Sequence, residues 1–183
     1  MIYFISDTHF GHENILQLTG RPFESIEAMD ESLIAAWNRR VCGSDTVYIV
    51  GDLFYHCAEP QEILRRLRGR KRLIVGNHDS SWMGRVELSR YFLSVDDLLV
   101  TTDGVRQLTL CHYPLLTWKH PERSYMIHGH LHANTHYDFF PLIAARERML
   151  NAGADINGFR PVTFEELVAN NGIHKRRWRE AQP

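Results

Sequence analysis

The chain has 183 residues, 44% hydrophobic and 23% charged, and its formal net charge is −1. That size and balance predict one globular domain over residues 1–183, and the near-zero charge removes any global electrostatic case for binding nucleic acid. No apolar run approaches a membrane span and no basic segment precedes the apolar start, so the sequence reads as a soluble, untargeted, cytoplasmic protein with no membrane partner.

In chain order, Ile2–Ser6 is a short apolar run that predicts a buried strand. Ser25 then precedes Ile26, Met29, Leu33, Ile34 and Trp37 at helical spacing, and Thr46–Val50 predicts a second strand. Glu62, Ile63, Leu64 and Leu67 predict a helix that ends at Gly69. The six basic side chains within Arg65–Arg72 read as a solvated helix face and helix end, where cations suit the macrodipole. Arg72–Val75 predicts a third strand. Asp103-Gly104 separates Asp97–Thr102 from Val105–Leu110, which predicts a hairpin and antiparallel pairing. Tyr125–Ile127 and Met149–Leu150 complete the strands. Thr163 and Glu166 form a capping box opening a helix through Leu167 and Val168, and the basic tail His174–Arg179 is expected to fray. Cys42, Cys57 and Cys111, odd in number and scattered, read as reduced, small core residues.

The chemistry lies at the strand ends. Asp7-Thr8-His9 comes after the first strand, Gly51-Asp52 after the second and Gly76-Asn77-His78-Asp79 after the third. Cys111-His112 and His128-Gly129-His130-Leu131-His132 come after two of the later ones. Alone, each fragment has an ordinary reading as a turn, a cap or a satisfied core histidine. Together, five strand ends deliver metal-competent groups to the place where open α/β sheets form their sites. Eleven histidines are present, and His120, His128, His130, His132 and His136 crowd one segment.

These blocks, in this order, resemble the signature of the calcineurin-like metallophosphoesterase superfamily: D-x-H, G-D, G-N-H-[D/E], H and G-H-x-H. The match runs from Asp7 to His132, and the opening Ser6–His12 looks like the small single-domain bacterial and phage members. The resemblance implies an α/β fold, a sandwich of two mixed β-sheets flanked by α-helices. It implies one divalent metal held by Asp7, His9, Asp52 and His132, and a second held by Asp52, Asn77, His112 and His130. Asp52 would bridge them, and His78 would be a catalytic acid. Protein Ser/Thr phosphatases of the superfamily carry a phosphate-gripping arginine where this chain has His56, which argues against that activity.

Two carboxylates, one amide oxygen and four imidazoles, with no thiolate, suit Mn²⁺ first, with Fe or Zn²⁺ as alternatives. Two such ions would activate water and attract an anionic phosphate ester. The expected substrate is a phosphodiester or a small phosphomonoester. A catalytically idle binding scaffold and a nuclease are the alternatives. Asp79 either orients His78 or caps a helix beginning at Ser80. Arg21 reads as an ordinary surface arginine, or else as a phosphate contact. His12 and His128 are either phosphate-facing or structural.

Overall fold

Side chains of a strand alternate between two faces, so a strand buried on both sides must be apolar along its whole length. The computed structural model, which describes residues 1–182, is built on such strands. One sheet contains β1 (Ile2–Ile5), β2 (Thr46–Val50), β3 (Arg70–Ile74) and β4 (Phe92–Asp96) in that order, every pairing parallel. The other contains β5 (Leu98–Thr102), β6 (Gln107–Cys111), β7 (Tyr125–His128) and β8 (Met149–Asn151); β5 pairs antiparallel with β6, and the remaining pairings are parallel. The second sheet is therefore mixed, whereas the antiparallel contribution to the first is an isolated bridge between Phe4 and Val162.

Alternation then sets the layers. Phe4, Tyr48, Val50 and Ile74 of the first sheet pack against Leu108, Leu110, Ile127 and Leu150 of the second, forming the middle of the sandwich. Tyr3, Ile5, Val47, Ile49 and Leu73 point the other way, against Met29, Leu33, Ile34 and Trp37 of α2 (Ile26–Arg40) and Leu64 of α3 (Pro60–Arg66). Met126 and Met149 point outward from the second sheet onto Phe140, Ile143 and Ala144 of α5 (Phe140–Ala144). The Ser25 hydroxyl caps α2 by accepting from the Ala28 N–H at 3.2 Å. The Thr163–Glu166 capping box is formed in both directions at the start of α6 (Phe164–Glu180).

Several boundaries differ from the sequence reading, each for a physical reason. The third strand starts at Arg70, because Lys71 is buried with its Nζ donating to Leu67 O and Gly69 O rather than standing on a solvated helix end. The helix before it stops at Arg66, and Gly69, at φ +86°, turns the chain into the strand. Strand β4 escaped the pattern because Asp97 alone separates it from β5, at the point where the chain leaves one sheet for the other. Cys42 is exposed, while Cys57 and Cys111 are buried.

The tail does not fray. Helix α6 continues to Glu180, and its second half is pinned by polar contacts: Lys175 Nζ donates to Arg146 O at 2.7 Å and to Met149 O at 2.6 Å. Asn171 bonds both backbone groups of Asn151 on β8, accepting from its N–H at 2.7 Å and donating to its carbonyl at 2.9 Å.

Burial lowers the Lys175 pKa to about 8, so the folded chain releases this proton before the unfolded one, whose lysine has an ordinary value near 10.5. The unfolded state then binds more protons between those values, and stability gains with rising pH. Wild type should therefore gain stability relative to Lys175→Met as pH rises from about 8 to about 10, by up to about 3 kcal/mol. Urea unfolding of both proteins across that range measures it.

Candidate metal centre

Five of the expected ligands sit on strained backbone. Asp7, His9, Asp52, His130 and His132 all have φ between 51° and 69°, a region that L-residues enter only when the surroundings over-determine them. Loop-to-loop hydrogen bonds supply that determination. The Asp7 N–H donates to Gly51 O, His9 to Asp52 O and Phe10 to Leu53 O, so the segments after β1 and β2 run side by side beyond the sheet. The segment after β8 joins them through Ser6 N–H to Ala152 O and Ala154 N–H to Ser6 O. Asp7 thus stands where the two sheets meet.

Glycine is required where these segments touch. A Cβ on Gly76 would stand 2.2 Å from Asp52 Oδ1, and one on Gly129 would stand 1.9 Å from Ser6 Oγ and 2.6 Å from Asp7 Oδ2.

The result is a buried cluster of carboxylates and imidazoles. Asp7, His9 and His132 bring one ligand atom each within 4.8 Å of one another, and so do Asp7, Asp52 and His112. Asp52 Oδ2 lies 3.6 Å from His9 Nε2 and 3.3 Å from His112 Nε2, close to an imidazole of each group. Asn77 Oδ1 is 3.1 Å from His112 Nε2. The His130 ring lies 5.2 Å from that of His112, edge-on. Five of the seven expected ligands therefore share the two groups, and Asn77 and His130 adjoin His112 at the outer rim.

The cluster is set for cations. Two of the expected histidine ligands place Nδ1 beside an acceptor, His112 beside Val50 O and His132 beside Asp155 Oδ2, both at 2.9 Å, which leaves Nε2 directed inward. Both nitrogens of His9 are buried with no hydrogen-bond partner among the described residues. A buried, unsatisfied imidazole is costly, and coordination satisfies it. Burial disfavours protonation of His112, yet the Asp52 and Asp7 carboxylates outweigh it and raise its pKa to about 9. Burial likewise opposes ionisation of Asp52, but His112 and the His78 N–H hold its pKa at about 2. At His9 and His130 burial instead lowers the pKa, and at Asp7 it raises it, so these groups lean toward their neutral forms, and the donor set of neutral imidazoles and carboxylates fits divalent cations.

His78 approaches without joining the cluster. Its backbone N–H donates to Asp52 Oδ1 at 2.9 Å, its side chain is 34% exposed, and its Nε2 is 3.9 Å from Asp52 Oδ2. The Tyr55 ring meets it edge-on at 4.5 Å.

Two expectations are corrected. Asp79 neither caps the short helix α4 (Ser80–Met83) with its side chain nor hydrogen-bonds the His78 ring. Its carboxylate is fully buried and accepts four N–H bonds, from Asp52 and Gly76 at one oxygen and from Leu53 and the Trp82 indole at the other. Arg21 is neither a surface arginine nor a phosphate contact. It is buried, bidentate to Asp155, and donates also to Asp7 O and Thr8 O, with Met29 Sδ at 3.5 Å, so every guanidinium donor faces protein. Asp155 itself was missed. Its signal was faint: Asn151 and Asp155 are polar residues that follow the apolar Met149-Leu150 run, as the expected ligands follow their strands, but Ala152, Gly153 and Ala154 separate them. His12 and His128 are buried, each with one fully buried ring nitrogen that has no hydrogen-bond partner among the described residues, while His56 is exposed.

Known proteins are similar to this chain. A family model described as calcineurin-like phosphoesterase matches residues 1–178. An uncharacterized protein of Methanocaldococcus jannaschii is 33% identical over 170 residues, covering 91% of this chain and 89% of that one. The Gene 66 protein of Mycobacterium phage L5 is 27% identical, covering 94% of this chain and 95% of its own. A crystal structure of a protein of unknown function from Aquifex aeolicus superposes with a TM-score of 0.70 at 29% identity, over 91% of this chain and 96% of that one.

The Asp79 carboxylate makes a stability prediction. Asp79→Asn turns one acceptor oxygen into a donor facing N–H groups, which should cost at least about 2 kcal/mol in metal-free urea unfolding. An unchanged unfolding midpoint with lost turnover would instead return Asp79 to a role in orienting His78.

Proposed function

Because the chain belongs to the calcineurin-like phosphoesterase family, we propose that it is a phosphoester hydrolase that works with two divalent cations on a phosphodiester or small phosphomonoester. The observation that carries this reading is the position of Asp52 Oδ2, 3.6 Å from His9 Nε2 and 3.3 Å from His112 Nε2, within the buried cluster of carboxylates and imidazoles. One cation belongs with Asp7, His9, Asp52 and His132, and the other with Asp52, Asn77, His112 and His130. Such a pair, Mn²⁺ by preference and Fe or Zn²⁺ by donor type, supplies a water acidified toward neutrality and a positive centre for the phosphoryl oxygens.

The chain's own groups complete the reaction. His78 stands at the mouth of the centre with its imidazole partly in solvent, and it donates a proton to the departing alkoxide. Its backbone bond to Asp52 fixes its distance from the centre, and Tyr55 holds the ring from the side. Asp155 and Arg21 keep the His132 tautomer and the Asp7 backbone in place. Arg21 has no donor left for a substrate, and the position of the protein phosphatases' arginine is His56, so proteins phosphorylated on serine or threonine are not the proposed substrates. Among the described residues no helix is long and apolar enough to cross a membrane, and we place the activity, as a single-domain enzyme, in the cytoplasm.

Chelation followed by Mn²⁺ should abolish and restore hydrolysis of a chromogenic diester or monoester, assayed beside single-stranded DNA. Cleavage that survives chelation or Asp52→Asn would sink the mechanism, and preferential cleavage of DNA would make the enzyme a nuclease. Two bound metals with no hydrolysis of any of the three would favour a binding scaffold. His78→Ala should retain metal, read by elemental analysis, while turnover falls by about 10²–10⁴. Loss of metal in that variant would make His78 a ligand.

A further inference from the structure

The flanks of the metal centre differ in chemistry. Beyond His132 the surface is a trough of mixed polarity, walled by Leu18, Thr19, Ala133, Asn134, Thr135 and His136. Beyond His130 it is an apolar groove of about 370 Å³, lined by Tyr113, Leu116, Phe139, Leu142, Ile143 and Met149. That volume falls within the range of small-molecule sites, about 300–1,000 Å³. His130 is at once an expected ligand and part of the groove wall, and the Tyr113 ring packs against it at 4.8 Å. A molecule in the groove is therefore continuous with one at the metals.

The lining disfavours most phosphate-ester arms. Arg146 is the one arginine or lysine in the lining and its guanidinium already donates to Leu116 O, so a polyanion would find a single, partly committed cation there. A sugar would leave its hydroxyls without partners against Leu142, Ile143 and Met149. Meanwhile Tyr113, Leu116, Phe139 and Leu142 are each 40–68% exposed, and a contiguous apolar surface of this kind marks a binding site. We propose that this groove receives an alkyl or aryl ester group, so that the substrates are phosphoesters with one hydrophobic arm. The inference rests on the phosphoesterase reading and adds the substrate class to it.

Non-hydrolysable phosphonates test it on the Mn²⁺-loaded protein, by calorimetry and by competition against a chromogenic ester. Methyl-, butyl- and phenylphosphonate present the same anionic head with growing apolar groups. Each buried methylene should tighten binding about three- to fourfold, so butylphosphonate should bind at least tenfold tighter than methylphosphonate, with phenylphosphonate also favoured. In Leu142→Asp that ratio should fall below about threefold. Leu93→Asp, on the edge strand of the other sheet, should preserve it. Equal affinities across the series, with methylphosphonate bound and esters still hydrolysed, would overturn the groove assignment while sparing the hydrolase. No phosphonate binding and no hydrolysis would overturn both. A dimer that Leu142→Asp separates without changing the ratio would overturn the assignment by making the groove a contact between copies.

Discussion

Two carboxylates without access to water, Asp7 and Asp52, set the terms for the rest of this molecule. Ionised side chains in a protein interior are tolerated only when other charges or donors replace the lost solvent. Here the replacement is a shell of imidazoles and main-chain N–H groups, contributed by the segments after β1, β3, β6 and β7. The backbone accepts left-handed conformations at five ligand positions to deliver it. The sandwich of sheets is the rigid frame that holds such an unfavourable convergence together.

Support for that shell comes from residues that touch no ligand atom directed at the centre. The Asp79 carboxylate, with all its acceptor capacity taken, ties the turn after β3 to the turn after β2. Arg21 and Asp155 form a second brace that reaches from the loop after α1 (Ile15–Thr19) to His132. Carboxylates acting on main-chain donors fix position more firmly than contacts between flexible side chains, which is what a site of closely spaced ligands demands.

How much of this could be read beforehand depended on how locally each feature is encoded. The strand ends were legible because an apolar run stops abruptly at glycine and a polar group, as at Val50-Gly51-Asp52 and Val75-Gly76-Asn77. Helix α2 was legible because its apolar stripe is regular and Ser25 marks its start. The braces were not. Asp155 lies four residues beyond its strand, inside the short turn Ala154–Ile156, and nothing about a lone arginine beside Pro22 signals burial. Asp79 looked like a helix cap because Ser80 does begin a helix, and only the fold shows that its oxygens are taken up by distant amides. Lys175 misled for the opposite reason: a cluster of cations normally means solvent, yet the side chains four residues apart at Asn171 and Lys175 face inward.

The side-chain amide of Asn171 imitates a neighbouring strand, offering β8 one acceptor and one donor where the sheet would otherwise end. An unpaired border of this kind is a template for recruiting another polypeptide, and natural sheets commonly shield it. Protection of the sheet border and support for the candidate metal centre are therefore written into the same helix, α6. An alteration that loosened it would invite aggregation along that border at the moment it released the segment carrying Asn151 and Asp155.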